Sequence, residues 1–186
     1  MKKIYLFLAN GFEEIEAITI IDVLRRANIL AVTCSITSEK EVVGAHGITI
    51  IADLLFNESN FEDADMLVLP GGMPGTSNLN DYIPLIELLK KHAGKKKALA
   101  AICAAPLVLG GLGILHGKKA TCYAGYEDLL TGAILSDQPV EQSGNIITAN
   151  GPAAAIQFAL KIVAFFRGES IATEVSDGIY KTFSHQ

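Results

Sequence analysis

The chain has 186 residues, 50% hydrophobic and 19% charged, with 15 basic against 20 acidic side chains and a formal net charge of −5. A half-apolar chain of this length suits one domain, residues 1–186, that buries roughly 70% of the surface its unfolded form exposes; disorder and fibrous repeats are excluded. The acidic balance excludes nucleic acid and anionic membrane surfaces as partners, because both demand a basic face. Three cysteines are too few for a disulfide scaffold and too far apart for a zinc knuckle. Cys34, Cys103 and Cys122 therefore read as thiols of a reducing compartment.

Met1-Lys2-Lys3 followed by six apolar residues imitates a secretory signal. The run is too short, however, and stops at Asn10-Gly11 before Glu13, Glu14 and Glu16, so residues 4–9 read as a buried strand and the protein as cytoplasmic. No other apolar run approaches the roughly 20 residues of a membrane span. A helical pattern covers 13–27 and a strand 31–37. Residues 41–44 and 48–51 suggest a small hairpin. Further strands are expected over 66–69 and 98–102, and helices over 82–93, 104–112 and 152–167. The last helix has Pro152 in its first turn and Gly168 just past its end. The strands lack polar alternation, as expected where both faces are buried. Their alternation with helices predicts an α/β fold, a mostly parallel central sheet with helices on both faces. Ligands of such sheets sit at the carboxyl ends of strands, which points to Asn10-Gly11, Pro70-Gly71-Gly72 and Cys103.

Cys103 falls between a buried strand and a helix. A nucleophile on that tight turn needs small neighbours, which Ala101, Ala104 and Ala105 supply. Amides at the helix start would lower its pKa toward neutrality. The alternative is a small buried hydrophobe, a common fate of free cysteine. Cys34 and Cys122 fall in strand-like runs and read as buried residues.

At 100° per residue, Ile20, Val23, Leu24 and Ala27 form one stripe of the first helix, and Glu16 falls within it. Glu13 lies near the stripe's edge; Glu14, Asp22, Arg25 and Arg26 lie elsewhere, as solvent-facing charges do. A carboxylate in a core stripe is costly unless paired, protonated or functional, and burial raises its pKa. Glu16 is then either a proton carrier or an acid favoured in the first turn by the helix dipole. The glycines of Pro70-Gly71-Gly72 either let amides approach an oxyanion or simply form a turn. No phosphate loop follows them. Ile15 and Ile18, exposed on the outer helix face near the hairpin, suggest a self-association patch. His46, His92, His116 and His185 are scattered, so neither a metal site nor a cofactor is expected.

Four segments together resemble the ThiJ/PfpI superfamily, and within it the Parkinsonism-associated deglycase branch: 9–16 (Ala-Asn-Gly-Phe-Glu-Glu-Ile-Glu), 69–72 (Leu-Pro-Gly-Gly), 100–106 (Ala-Ala-Ile-Cys-Ala-Ala-Pro) and 148–152 (Thr-Ala-Asn-Gly-Pro). The resemblance implies a flavodoxin-like sandwich and a homodimer with the first helix, Ile15 included, at its interface. It assigns Cys103 as nucleophile and redox-sensitive thiol, Glu16 as partner acid, and the amides of Gly72 and Ala104 as the oxyanion site. It also implies glyoxalase or deglycase activity and stress-response or chaperone roles. Two departures matter. Ala104 stands where peptidase-type relatives carry histidine, and Tyr123 stands where some animal members bring a histidine to the cysteine.

The resulting expectation is a cofactor-independent cysteine enzyme of small 2-oxoaldehydes such as methylglyoxal. The alternatives are a redox sensor or holdase using Cys103, and a peptidase or amidase, which Ala104 disfavours.

Overall fold

The computed structural model describes residues 1–180. Strand β1 (Lys3–Leu8) leads through helix α1 (Glu14–Arg26) to β2 (Leu30–Ser35). A hairpin of β3 (Glu41–Val43) and β4 (Thr49–Ile51) follows, then β5 (Leu54–Leu55) and β6 (Met66–Leu69). Helices α2 (Gly75–Asp81) and α3 (Ile83–Gly94) precede β7 (Ala98–Ile102), which turns into α4 (Pro106–Gly111). The chain continues with β8 (Lys119–Ala120), β9 (Ile134–Leu135), β10 (Val140–Ser143) and β11 (Ile146–Ala149). It then forms α5 (Ala155–Arg167) and α6 (Glu169–Ile179).

Seven strands form the main sheet in the order β10-β11-β7-β6-β1-β2-β5, parallel throughout except for the antiparallel β10–β11 pair. Helices cover both faces. Ile4, Leu6 and Leu8 pack with Ile20 and Leu24 of α1 and Phe158 and Ile162 of α5. Tyr5 and Phe7, pointing the other way, pack with Leu85 and Leu89 of α3 and Val108 and Leu109 of α4. Two-sided burial is why these strands read as unbroken apolar runs. β1 lies between β2 and β6, so the chain reverses its direction across the sheet there, and the crevice at the carboxyl end of that point is the place for a ligand.

Several boundaries differ from the sequence expectation. The helix expected from residue 104 begins at Pro106, because a tight turn, with the Ala105 amide bonded to the Ile102 carbonyl at 3.0 Å, occupies 103–105. A 3₁₀ turn, Pro152–Ala154, precedes α5. Cys34 lies in β2 as expected. Cys122 does not lie in a strand: β8 ends at Ala120, and the Thr121 amide bonds to the Thr148 side chain instead of a ladder partner. The expected hairpin is present, but among the described residues β3 and β4 pair only with each other, and Gly44 after β3 bridges to Phe12 in the loop before α1. Among the described residues no helix is long and apolar enough to cross a membrane.

Candidate active site

The loops after β1, β6 and β7 meet at the crevice. The Glu13 amide donates to the Gly71 carbonyl at 2.9 Å and the Gly75 amide to the Gly11 carbonyl at 3.0 Å, which joins the first two loops. Cys103 follows β7 directly and has φ +62°, a left-handed backbone that a non-glycine residue holds at a cost of order 1 kcal/mol or more. Its neighbours hold it there. The Cys103 amide donates to the Ala149 carbonyl at 2.9 Å, and its carbonyl accepts the Tyr123 amide at 2.8 Å. The strained turn aims a side chain that is only 9% exposed.

Gly71 explains the close approach of the next group. A Cβ placed on Gly71 would lie 2.5 Å from the Cys103 Cβ, 2.8 Å from Glu16 Oε2 and 3.0 Å from the Ile102 carbonyl. One methyl group would thus touch both the cysteine and the acid. Gly72, at φ +88°, leaves equally little room, since a Cβ there would collide with the Glu13 amide nitrogen. The backbone amides of Gly72 and Ala104 favour the ionised form of the Cys103 sulfur.

Glu16 is fully buried near the start of α1, on the core stripe the helical wheel assigns to it. Its Oε2 accepts the Gly71 amide at 2.7 Å; Oε1 has no hydrogen-bond partner among the described residues. Burial raises its pKa to about 7, with the charge of Glu13 adding to the rise, while the Gly71 amide and the Cys103 thiol pull the other way. The thiol differs from expectation. Burial and the adjacent Glu16 charge push Cys103 up to about 12, and the two amides do not offset them. The expected helix-start amides are replaced by one amide from the loop after β6 and one from the turn before α4, and desolvation outweighs both.

Other predicted positions sort as follows. The Tyr123 ring is half-exposed and lies against Gly151, where a Cβ would sit 3.1 Å from Cδ2. Cys122 and Cys34 are buried, and desolvation raises them to about 11 and about 12. Ile15 and Ile18 are 59% and 45% exposed. Glu14 is not solvent-facing: it is buried, its Oε1 accepting the His46 amide at 2.7 Å and the Ile48 amide at 3.3 Å. Its Oε2 meets His46 Nδ1 at 2.9 Å, so His46 is not isolated either. His92 is buried against the Ala98 carbonyl and is lowered to about 4, chiefly by burial. The His116 ring packs against Gly132. His185 lies outside the described residues.

A family model, the DJ-1/PfpI family, matches residues 2–165, a span that includes every loop of this site. The chain belongs to the DJ-1/PfpI family. Protein DJ-1 homolog B of Arabidopsis thaliana is 38% identical over 177 residues, covering 94% of this chain and 40% of the relative. The chain spans less than half the length of this relative and of the Arabidopsis DJ-1 homolog A. The Parkinson disease protein 7 homolog of Danio rerio is 34% identical over 183 residues, covering 94% of each chain. Among solved structures, oxidized Toxoplasma gondii DJ-1 superposes with TM-score 0.92 at 35% identity, covering 96% of this chain and 98% of that one. Drosophila melanogaster DJ-1beta gives TM-score 0.90 at 33% identity, covering 98% and 100%. The DJ-1/PfpI fold thus runs through the whole crevice, with Cys103, Glu16 and the two glycines at its centre.

Gly71 is the residue the sequence reading undervalued. Its signal was present, a paired glycine directly after a buried strand, but only the packing tells which glycine separates the thiol from the acid.

Proposed function

We propose that this protein is a cofactor-independent cysteine enzyme of the glyoxalase or deglycase type, converting small 2-oxoaldehydes such as methylglyoxal into 2-hydroxy acids in carbonyl and oxidative stress. One observation carries the reading: a strained cysteine is held against a buried acid, one oxygen of which has no hydrogen-bond partner among the described residues.

With its pKa near 12, Cys103 keeps its proton at neutral pH, whereas Glu16 exchanges its own near 7. The Glu16 carboxylate takes the thiol proton as sulfur bonds to the aldehyde carbon, and the oxyanion is held by the Gly72 and Ala104 amides. Return of the proton gives a hemithioacetal. Glu16 then removes the proton from C1 while the C2 oxygen gains one, and return of that proton to C2, with loss of the C1 hydroxyl proton, gives the thioester of the 2-hydroxy acid. Water cleaves the thioester, releasing lactate and the free thiol; the net change is addition of one water. The deciding experiment is lactate release from methylglyoxal by wild type, Cys103→Ser and Glu16→Gln. Loss in both variants is expected, and unchanged turnover in the serine variant overturns the mechanism.

Reversible oxidation of Cys103, the sensor reading, is favoured by the oxidized state of the Toxoplasma relative. Intact mass after mild peroxide tests it, with oxygen added at Cys103 as the expected result. A homodimer through α1 completes the proposal, supported by the exposed Ile15 and Ile18, the latter lining one groove with Ile51. Reduced thiols accord with a cytoplasmic location.

A further inference from the structure

The hairpin turn brings an imidazole to two carboxylates on the rim of the crevice. His46 Nδ1 lies 2.9 Å from Glu14 Oε2 and 3.8 Å from Glu13 Oε1, and the three atoms all lie within 4.8 Å of one another. We propose that Glu13, Glu14 and His46 form a binding site for a divalent transition-metal ion of the zinc type.

Geometry, charge and support each point to this occupant. Tetrahedral bonds of about 2.0–2.2 Å from zinc to nitrogen and oxygen place neighbouring ligand atoms about 3.3–3.6 Å apart, a spacing the separations of 2.9 Å and 3.8 Å bracket. Two carboxylates against one imidazole leave negative charge in excess at a place where the carboxylates are largely shielded, with side-chain exposures of 12% for Glu13 and 5% for Glu14. Glu13 has His46 as its one charged partner among the described residues. A dication with a neutral imidazole would balance both acids.

Glu14 is also built as a ligand is. Its Oε1 is fixed by the amides of His46 and Ile48, which leaves Oε2 to face the imidazole. Outer hydrogen bonds of this kind orient ligating carboxylates. Gly44 makes room for it, because a Cβ there would collide with the Glu14 carboxyl group. The His46 side chain is 70% exposed, so an ion can enter and water can complete its coordination. One imidazole and two carboxylates, without sulfur, suit zinc or cobalt(II) better than copper(I), and the nitrogen disfavours magnesium and calcium.

The test is a titration of untagged, chelator-stripped protein with Zn²⁺ by calorimetry and with Co²⁺ by visible absorption. Wild type is expected to bind one ion, without the intense charge-transfer band of a thiolate ligand. Cys103→Ser should bind equally well, whereas Glu13→Gln and His46→Ala should bind at least tenfold more weakly. Glu13→Gln removes a carboxylate whose oxygens make no hydrogen bond among the described residues, so it separates loss of a ligand from loss of structure. Absence of binding to wild type overturns the proposal. So does binding that survives both substitutions, or binding lost in Cys103→Ser, which would place the ion on the thiol.

Discussion

Glu16 and Cys103 stand on either side of Gly71, so close that a single methyl group on the glycine would touch both. The acid comes from the first turn of α1 and the thiol from the end of β7, and the loop after β6 passes between them. Burial raises both groups, but to different places: Glu16 to about 7 and Cys103 to about 12. At neutral pH the acid therefore exchanges protons and the thiol does not. In the proposed mechanism that difference makes Glu16 the base.

Turnover of methylglyoxal should follow the carboxylate form of Glu16. Measured as kcat/KM in chelator-treated protein, it should rise with pH through about 7 and level off above, with no limb from thiol ionisation below the alkaline range. Glu16→Gln should lose that limb and fall by roughly 10²–10⁴-fold, the usual contribution of a positioned acid–base group. A retained limb in the glutamine variant would remove Glu16 from the proton path.

Stability should move in the opposite sense. The folded-state pKa of Glu16 lies above its ordinary 4.5, so between pH 4.5 and about 7 the folded protein binds more protons than the unfolded one. Stability contributed by the neutral acid is complete below 4.5 and is lost as pH rises through 7. The loss amounts to at most about 3 kcal/mol. Glu16→Gln keeps an acceptor for the Gly71 amide and carries no charge, so thermal unfolding at pH 8 should show a higher Tm than wild type. At pH 4.5 the two should melt nearly together.

Gly71→Ala tests the spacing itself. The added methyl meets a side chain, a carboxyl oxygen and the Ile102 carbonyl together, and only the first two can shift. Overpacking of this kind costs about 1–3 kcal/mol. Activity should fall as far as in Cys103→Ser, while circular dichroism keeps the α/β signature. Wild-type turnover in the alanine variant would mean that thiol and acid do not need their present contact.

The residues that made this site legible in the sequence are those whose burial leaves a mark on the pattern. Ile4 to Leu8 read as a two-sided strand because both faces are covered, and Glu16 stood out because it interrupts an apolar stripe. Cys103 was readable from its small neighbours, but its ionisation was not. The sequence suggests nearby amides that favour a thiolate and hides the desolvation that opposes it. Glu14 was misread for a related reason. The helical wheel knows only α1, whereas the groups that bury Glu14 come from a hairpin turn about 30 residues away. The strands β8 to β10 are short and partly polar, so they carry no period that could announce them.

The outer face of α1 should determine assembly. Ile15 and Ile18 are exposed on the same helix whose opposite side carries Glu16, and Ile18 lines one groove with Ile51 of the hairpin. Ile18→Asp places a charge in that patch without touching the core. Sedimentation should then show a monomer where the wild type sediments as a dimer. A wild-type mass in the variant would move the interface elsewhere.

The hairpin itself should depend on Glu14. Burial alone would raise its pKa, but hydrogen bonds from the His46 ring and from the His46 and Ile48 amides outweigh burial and hold it below the ordinary 4.5. A depressed carboxyl contributes stability that is present above its unfolded pKa and is lost as pH falls through the folded value, so the turn should loosen only in acid. In metal-free protein, Glu14→Ala should speed hydrogen exchange of the His46 and Ile48 amides at least tenfold at pH 7. Amides of β1, bonded to β2 and β6, should exchange as in wild type. The selective loss follows from the geometry: one carboxylate ties a turn that pairs with no strand of the main sheet, and removing it frees the turn while the sheet keeps its own ladder.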